Sequence, residues 1–161
     1  MLRFLNQKTI INLGVLLLIF AIDRFSKIYI VQKNLNGLSS EIKHNNFLSL
    51  DLVWNKGVAF GLFSMNSVEF YNALTVLILI IILIVLYLSF TSSGFKKIAY
   101  LMIAGGAIGN VYDRIFYRQV PDFIDFHVGD FHWFIFNIAD IFITFGVIFM
   151  ILIEFKANKN E

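Results

Sequence analysis

Residues 68–90 read VEFYNALTVLILIIILIVLYLSF, with no charge after Glu69. A hydrocarbon core about 30 Å thick is crossed by about 20 apolar residues of helix, so the stretch predicts a membrane span. Working outward, three further apolar segments flank it. One covers about 10–31 and is interrupted by Asp23 and Arg24 after Ile22. One covers about 98–116 and carries Ala104, Gly105, Gly106, Ala107 and Gly109, small residues that let helix backbones approach closely in lipid. The last covers about 133–155. The 161-residue chain is 58% hydrophobic and 15% charged, against about 25% charged in soluble domains. The expected fold is an all-α membrane protein: four transmembrane helices in a single polytopic domain over 1–161.

Composition also excludes. A net charge of +2 leaves no nucleic-acid footprint. The absence of cysteine removes disulfides, a thiol nucleophile, thiolate metal sites and lipid anchoring of this chain through cysteine. His44, His127 and His132 show no close ligand spacing of the His-x-x-x-His kind, so no metal and no cofactor is expected. Arg3 and Lys8 followed by apolar Ile10 to Ile22 imitate a signal peptide. Asp23 and Arg24 follow, not a small-residue cleavage site, so the segment reads as an uncleaved first helix.

Four spans put both termini and the Ser92–Lys97 connection on one side, with Arg3, Lys8, Lys96, Lys97, Lys156 and Lys159 in short flanks. The positive-inside rule places that side in the cytoplasm. Residues 34–67 and 120–131 then face outward. From Phe47 to Asn55, Leu48, Leu50, Leu52 and Trp54 alternate with Ser49, Asp51 and Asn55, the period of a strand with one apolar face. Val120–Phe131 holds a Gly129–Asp130 turn signal and predicts a short hairpin. A small extracytoplasmic β-sheet platform follows. Trp54, Phe60, Phe63, Trp133 and Phe134 read as an interfacial aromatic belt.

Acidic residues stand where a membrane protein is least expected to hold them. Asp140 lies near the start of the last apolar run; Asp113, Asp122 and Asp125 crowd the end of the one before. An ionised carboxylate at a helix centre in hydrocarbon costs at least about 2.5–3.5 kcal/mol, and such groups usually mark function. Asp122 and Asp140 can occupy one level of the bundle. Two carboxylates sharing a site hold a single proton near neutral pH, an arrangement suited to peptide hydrolysis without nucleophile or metal. The blander alternative is a set of interfacial residues paired with Arg114 or Arg118.

Five local patterns occur in order over almost the full length. They are Asp23-Arg-Phe-Ser-Lys27, Asn55-Lys-Gly57-Val-Ala59-Phe60, Gly105-Gly-Ala-Ile-Gly109-Asn110-Val-Tyr-Asp113-Arg114, Val120-Pro-Asp122-Phe-Ile-Asp125 and Phe136-Asn137-Ile-Ala139-Asp140. Together they resemble the lipoprotein signal peptidase (signal peptidase II) family of bacteria. The resemblance implies that Asp122 and Asp140 are the catalytic pair. It implies a binding or supporting shell of Asn55, Gly57, Asn110, Asp113, Arg114, Asn137 and Ala139, with Asp23 and Lys27 structural. Asn137, three residues before Asp140, shares its helix face, and its amide can either bond substrate backbone or orient the carboxylate. Asp113 and Arg114 are expected to brace the helix ends. Gly57 and Gly61 flank a stretch that in the family cradles substrate. Pro121, Val58 and Arg24 depart from the family pattern without touching the two aspartates.

By resemblance, the expected protein is an intramembrane aspartic endopeptidase of the bacterial cytoplasmic (inner) membrane. It removes the signal peptide from diacylglyceryl-modified prolipoproteins, cutting just before the lipidated cysteine, with its site towards the outer face. Its partners are that substrate and membrane lipid, with no nucleic acid; a monomer is the default expectation. Two rivals remain at this level: a proton- or ion-coupled membrane transporter using the aspartates as a relay, and a non-catalytic adaptor for signal sequences.

Overall fold

The computed structural model describes residues 7–36, 46–57 and 68–159. Their order is α1 (Gln7–Leu35), β1 (Leu48–Asn55), α2 (Val68–Thr91), α3 (Gly94–Tyr117), β2 (Val120–Val128), β3 (Phe131–Phe136) and α4 (Ile138–Asn158). The protein is mostly helical, with one three-stranded antiparallel sheet in the order β1–β2–β3.

Among the described residues, α1, α2 and α4 contain helices long and apolar enough to cross a membrane. Of the four spans expected from the sequence, these three have the length and composition to cross a membrane. The fourth helix differs for a physical reason. α3 is as long as α2, but it is the inner helix, packed against α1, α2 and α4. It buries ten residues, among them Ala104, Gly105, Gly106, Gly109, Asn110, Asp113 and Arg114. α2 buries only Tyr71, Ile82 and Ser89, and its other aliphatic residues are exposed or half-buried. The helix facing other helices is thus small and polar, and the helix facing outward is aliphatic.

Two glycines let α3 sit that deep. A Cβ on Gly106 would lie 2.5 Å from the Ala139 carbonyl oxygen of α4, and one on Gly109 would lie 2.5 Å from Asp23 Oδ2 of α1.

The charged pair Asp23–Arg24 lies within a continuous α1, and both side chains find partners across the bundle, Asp23 with Ala139 N–H of α4 and Arg24 with Asp113 of α3. One boundary differs from the sequence expectation. The apolar run expected from Trp133 to Phe155 as one span divides: Trp133 to Phe136 belong to β3 and the helix begins at Ile138. Aromatic and β-branched residues favour a pleated strand against β2, and Asn137 then starts α4 with a capping box.

β1 also departs from simple alternation. An extra residue between Leu50 and Val53 forms a bulge opposite β2. Leu48, Leu50 and Leu52 pack on the core of Ile30, Phe123 and Ile124, as the pattern implies. Beyond the bulge the sides exchange, so Trp54 is exposed and Asn55 is buried. Pro121 pairs with Trp54 of β1, while β3 reaches only to Ile124. A residue without a donor thus sits in the two-stranded part of the sheet, where its absence costs least.

Candidate active site

The sheet and the start of α4 bring Asp122 and Asp140 onto one residue, Asn137. Its side-chain amide donates to Asp122 Oδ1 at 2.6 Å, and its backbone N–H donates to Asp140 Oδ2 at 3.1 Å. The Asn137 side-chain oxygen in turn accepts from the Asp140 backbone N–H at 3.1 Å. Asn137 is therefore both the N-cap of α4 and the bridge between the carboxylates.

The remaining oxygens are held the same way. Asn55 donates to Asp122 Oδ2 at 2.9 Å, and Asn110 donates to Asp140 Oδ1 at 2.8 Å. None of the three amides is free to turn over. The oxygen of Asn55 accepts from Gly57 N–H, that of Asn137 from Asp140 N–H, and that of Asn110 from Lys27 Nζ. With the amide oxygen occupied, only the NH₂ faces the carboxylate. Four carboxylate oxygens thus each meet one fixed donor, and each keeps a lone pair for a proton or a water.

Asp122, on the strand between the helices, has its pKa pushed up to about 6, first by burial and then by the neighbouring Asp140 carboxylate; the Asn55 and Asn137 amides oppose the rise. Two buried acids side by side with neutral donors retain affinity for one proton.

A second buried group lies behind this pair. Lys27, fully buried, donates to Asp23 Oδ2 and Asn110 Oδ1, both at 2.8 Å, and lies 2.8 Å from Asp113 Oδ2 as an ion pair. Arg24 pairs with the other Asp113 oxygen and stacks over Tyr112. The departure at Arg24 therefore supplies a second cation to Asp113. Asp23 Oδ1 accepts from Ala139 N–H at 3.0 Å, so a carboxylate of α1 satisfies a free donor at the start of α4.

Asp113 and Arg114 have partners on opposite sides, since adjacent helical residues do not share a face. Arg114 donates to Gly57 O at 2.9 Å and Asn110 O at 3.2 Å. Arg114 and Gly57 thereby tie the end of β1 to α3. Arg118 lies at the surface near Asn72 and is not part of this group.

Every expected site residue is described, and Asp122, Asp140, Asn55, Gly57, Asn110, Arg114, Asn137, Ala139, Asp23, Lys27 and Asp113 form one connected network. His44, Val58, Ala59, Phe60, Gly61 and Phe63 lie outside the described residues. Beside Asp140 opens an apolar cavity of about 250 Å³ lined by Trp133, Phe136, Ile141, Thr144 and Phe145.

Sequence reading missed one cluster. His127 and His132 are direct cross-strand partners and gather with Asp125. A search for His pairs at helical spacing cannot find them. The usable signal was their symmetric placement about the Gly129–Asp130 turn.

Buried paired carboxylates held by amides, in a largely apolar helical protein, are an arrangement suited to aspartic-type hydrolysis at a membrane. Comparison narrows the class. Residues 15–156 match the family model for signal peptidase (SPase) II. The chain is 46% identical to a lipoprotein signal peptidase of Pelagibacter ubique, over 94% of this chain and 91% of that one. It is 38% identical to one of Anaplasma phagocytophilum, over 96% and 97%. A solved bacterial membrane enzyme superposes with a TM-score of 0.77 at 28% identity, covering 93% of this chain and 90% of the other. The chain belongs to the signal peptidase II family of aspartic peptidases.

Proposed function

We propose that this chain removes the signal peptide from diacylglyceryl-modified bacterial prolipoproteins, cutting just before the lipidated cysteine, with Asp122 and Asp140 as the catalytic pair. The observation that carries the reading is the convergence of both carboxylates on Asn137, in a chain of this family.

The pair shares one proton: the ionised carboxylate is the base and the protonated one the acid. The base takes a proton from a water, whose oxygen adds to the scissile carbonyl carbon, while the acid protonates the carbonyl oxygen. On collapse the proton on oxygen returns to the carboxylate that gave it, the C–N bond breaks, and the other carboxyl delivers its proton to the leaving amine. The apolar cavity beside Asp140 suits an aliphatic part of the substrate.

In the membrane arrangement that fits this role, α3 is the fourth span, enclosed by the other three. The Lys96–Glu154 pair joins the start of α3 to the end of α4, so the sheet lies at the opposite end of both helices. Lysines near the first end support a cytoplasmic position for it and for both termini. The sheet then lies at the outer surface of the inner membrane. Exposed Phe131, Trp133 and Phe134 support its position at the lipid boundary. The chain acts as a monomer in this reading. A relay role for the same carboxylates gains no support, since the matched relatives are peptidases.

The test is mass spectrometry of a diacylglyceryl-modified prolipoprotein incubated with the detergent-solubilised chain and with each aspartate variant. A single cut before the modified cysteine, lost in Asp122→Asn and Asp140→Asn, supports the proposal. Full turnover by either variant, or cleavage elsewhere, sinks it.

A further inference from the structure

β2 has two working faces. Side chains alternate along a strand, so Asp125 and His127 lie on the face opposite Asp122. On that face His132 of β3 stands directly across from His127, and their rings stack at 5.1 Å between centroids. Asp125 Oδ2 lies 2.7 Å from His132 Nδ1 and 3.7 Å from His127 Nδ1, and it also accepts from Ser49 at 3.2 Å.

This group is incompletely satisfied from within the protein. Asp125 is 3% exposed and His127 9% exposed. Among the described residues, Asp125 Oδ1 and His127 Nδ1 are buried without a hydrogen-bond partner. Buried polar atoms normally find one, and an orphan calls for an explanation such as an ion. His132, by contrast, is 58% exposed in its side chain, so one side of the group is open to incoming ligands.

We propose that Asp125, His127 and His132 bind a divalent transition cation of the zinc class, through both Nδ1 atoms and the Asp125 carboxylate. Zinc bonds to imidazole nitrogen and carboxylate oxygen are about 2.0–2.2 Å, which sets ligand atoms about 3.3 Å apart around a tetrahedral ion. The two measured separations, 2.7 and 3.7 Å, straddle that value, and all three ligand atoms lie within 4.8 Å of one another. Two imidazoles and one carboxylate are a borderline-soft set that prefers zinc, nickel or copper to magnesium or calcium. Each imidazole keeps its remaining proton on Nε2, and a water fills the fourth position. The ion ties β2 to β3, on the strand that carries Asp122. It takes no part in the hydrolytic step, so the site stands or falls independently of the peptidase reading.

The chain has three histidines and no cysteine, so background binding is low. The full chain, prepared without a polyhistidine tag and stripped with chelator, is titrated with zinc chloride by calorimetry. Metal content after dialysis is read by mass spectrometry. One equivalent is expected. His132→Ala, at an exposed position that leaves the core intact, weakens binding about tenfold or more, and Asp125→Asn does likewise. His44→Ala and Asp122→Asn leave it unchanged. Absence of zinc, nickel and copper binding in the wild-type chain overturns the proposal. So does binding indifferent to His132→Ala, or binding lost with Asp122→Asn, which would move the ion to the catalytic pair.

Discussion

Four of the five buried aspartates form two neighbouring groups, and the two are held by different chemistry. Asp23 and Asp113 face Lys27 and Arg24, so their charges are cancelled by cations. Asp122 and Asp140 face Asn55, Asn110 and Asn137, neutral amides that orient a carboxylate without cancelling it. The first arrangement fixes helices. The second keeps two acids in tension over a proton, which is what a hydrolytic pair requires. Asn110 joins them, taking a hydrogen bond from Lys27 on one side and giving one to Asp140 on the other.

The contrast can be broken by exchanging the roles. Asp140→Asn or Asp122→Asn lowers cleavage by about 10²–10⁴-fold or more while the protein stays folded and inserted. Circular dichroism and a lipoprotein cleavage assay check this together. Lys27→Met should do the reverse in kind. It strips Asp23 of its cation, leaves Asp113 with Arg24 alone, and costs about 3–5 kcal/mol of stability, read as a large fall in melting temperature in detergent. An unchanged melting temperature would show that the first group is not structural.

Asn137→Ala tests the residue shared by helix and pair. Loss of the cap costs about 1 kcal/mol, and misplacement of the carboxylates lowers turnover by about 10²-fold. Turnover should therefore fall much further than stability.

The smallest effect is in protonation. Burial and Asp140 raise Asp122 from 3.8 to about 6, so the folded chain holds this proton more tightly than the unfolded one. The stabilisation is present below pH 3.8 and is lost as pH rises through about 6. In Asp140→Asn the like charge is gone, and the Asp122 titration, followed by carboxyl carbon NMR, moves down. An upward move would contradict the coupling.

Residue patterns were enough to read the helices and the residues that the structure joins in one network. Hydropathy marks surfaces that face outward, so α2 was plain, whereas α3, enclosed on most sides, carries a weaker signal. The five patterns led to every residue of the central network. The sheet's detail was hidden because a bulge leaves no mark on composition: nothing in Leu-Ser-Leu-Asp-Leu-Val-Trp-Asn tells that the sides exchange after Leu50 and turn Asn55 towards Asp122. The start of α4 was blurred because Trp133 to Phe136 are as apolar as a span yet form a strand. Asp125, His127 and His132 escaped because a hairpin, not a helical repeat, brings them together.

Asn137 has a consequence for biogenesis. The residue that lets α4 begin winding is the same one that draws the two acids together, and Asp140 returns a bond to its backbone. On the proposed assignment of Asp122 and Asp140, winding the first turn and assembling the reactive centre are one event, so a nascent chain whose last helix has not yet formed holds no assembled pair.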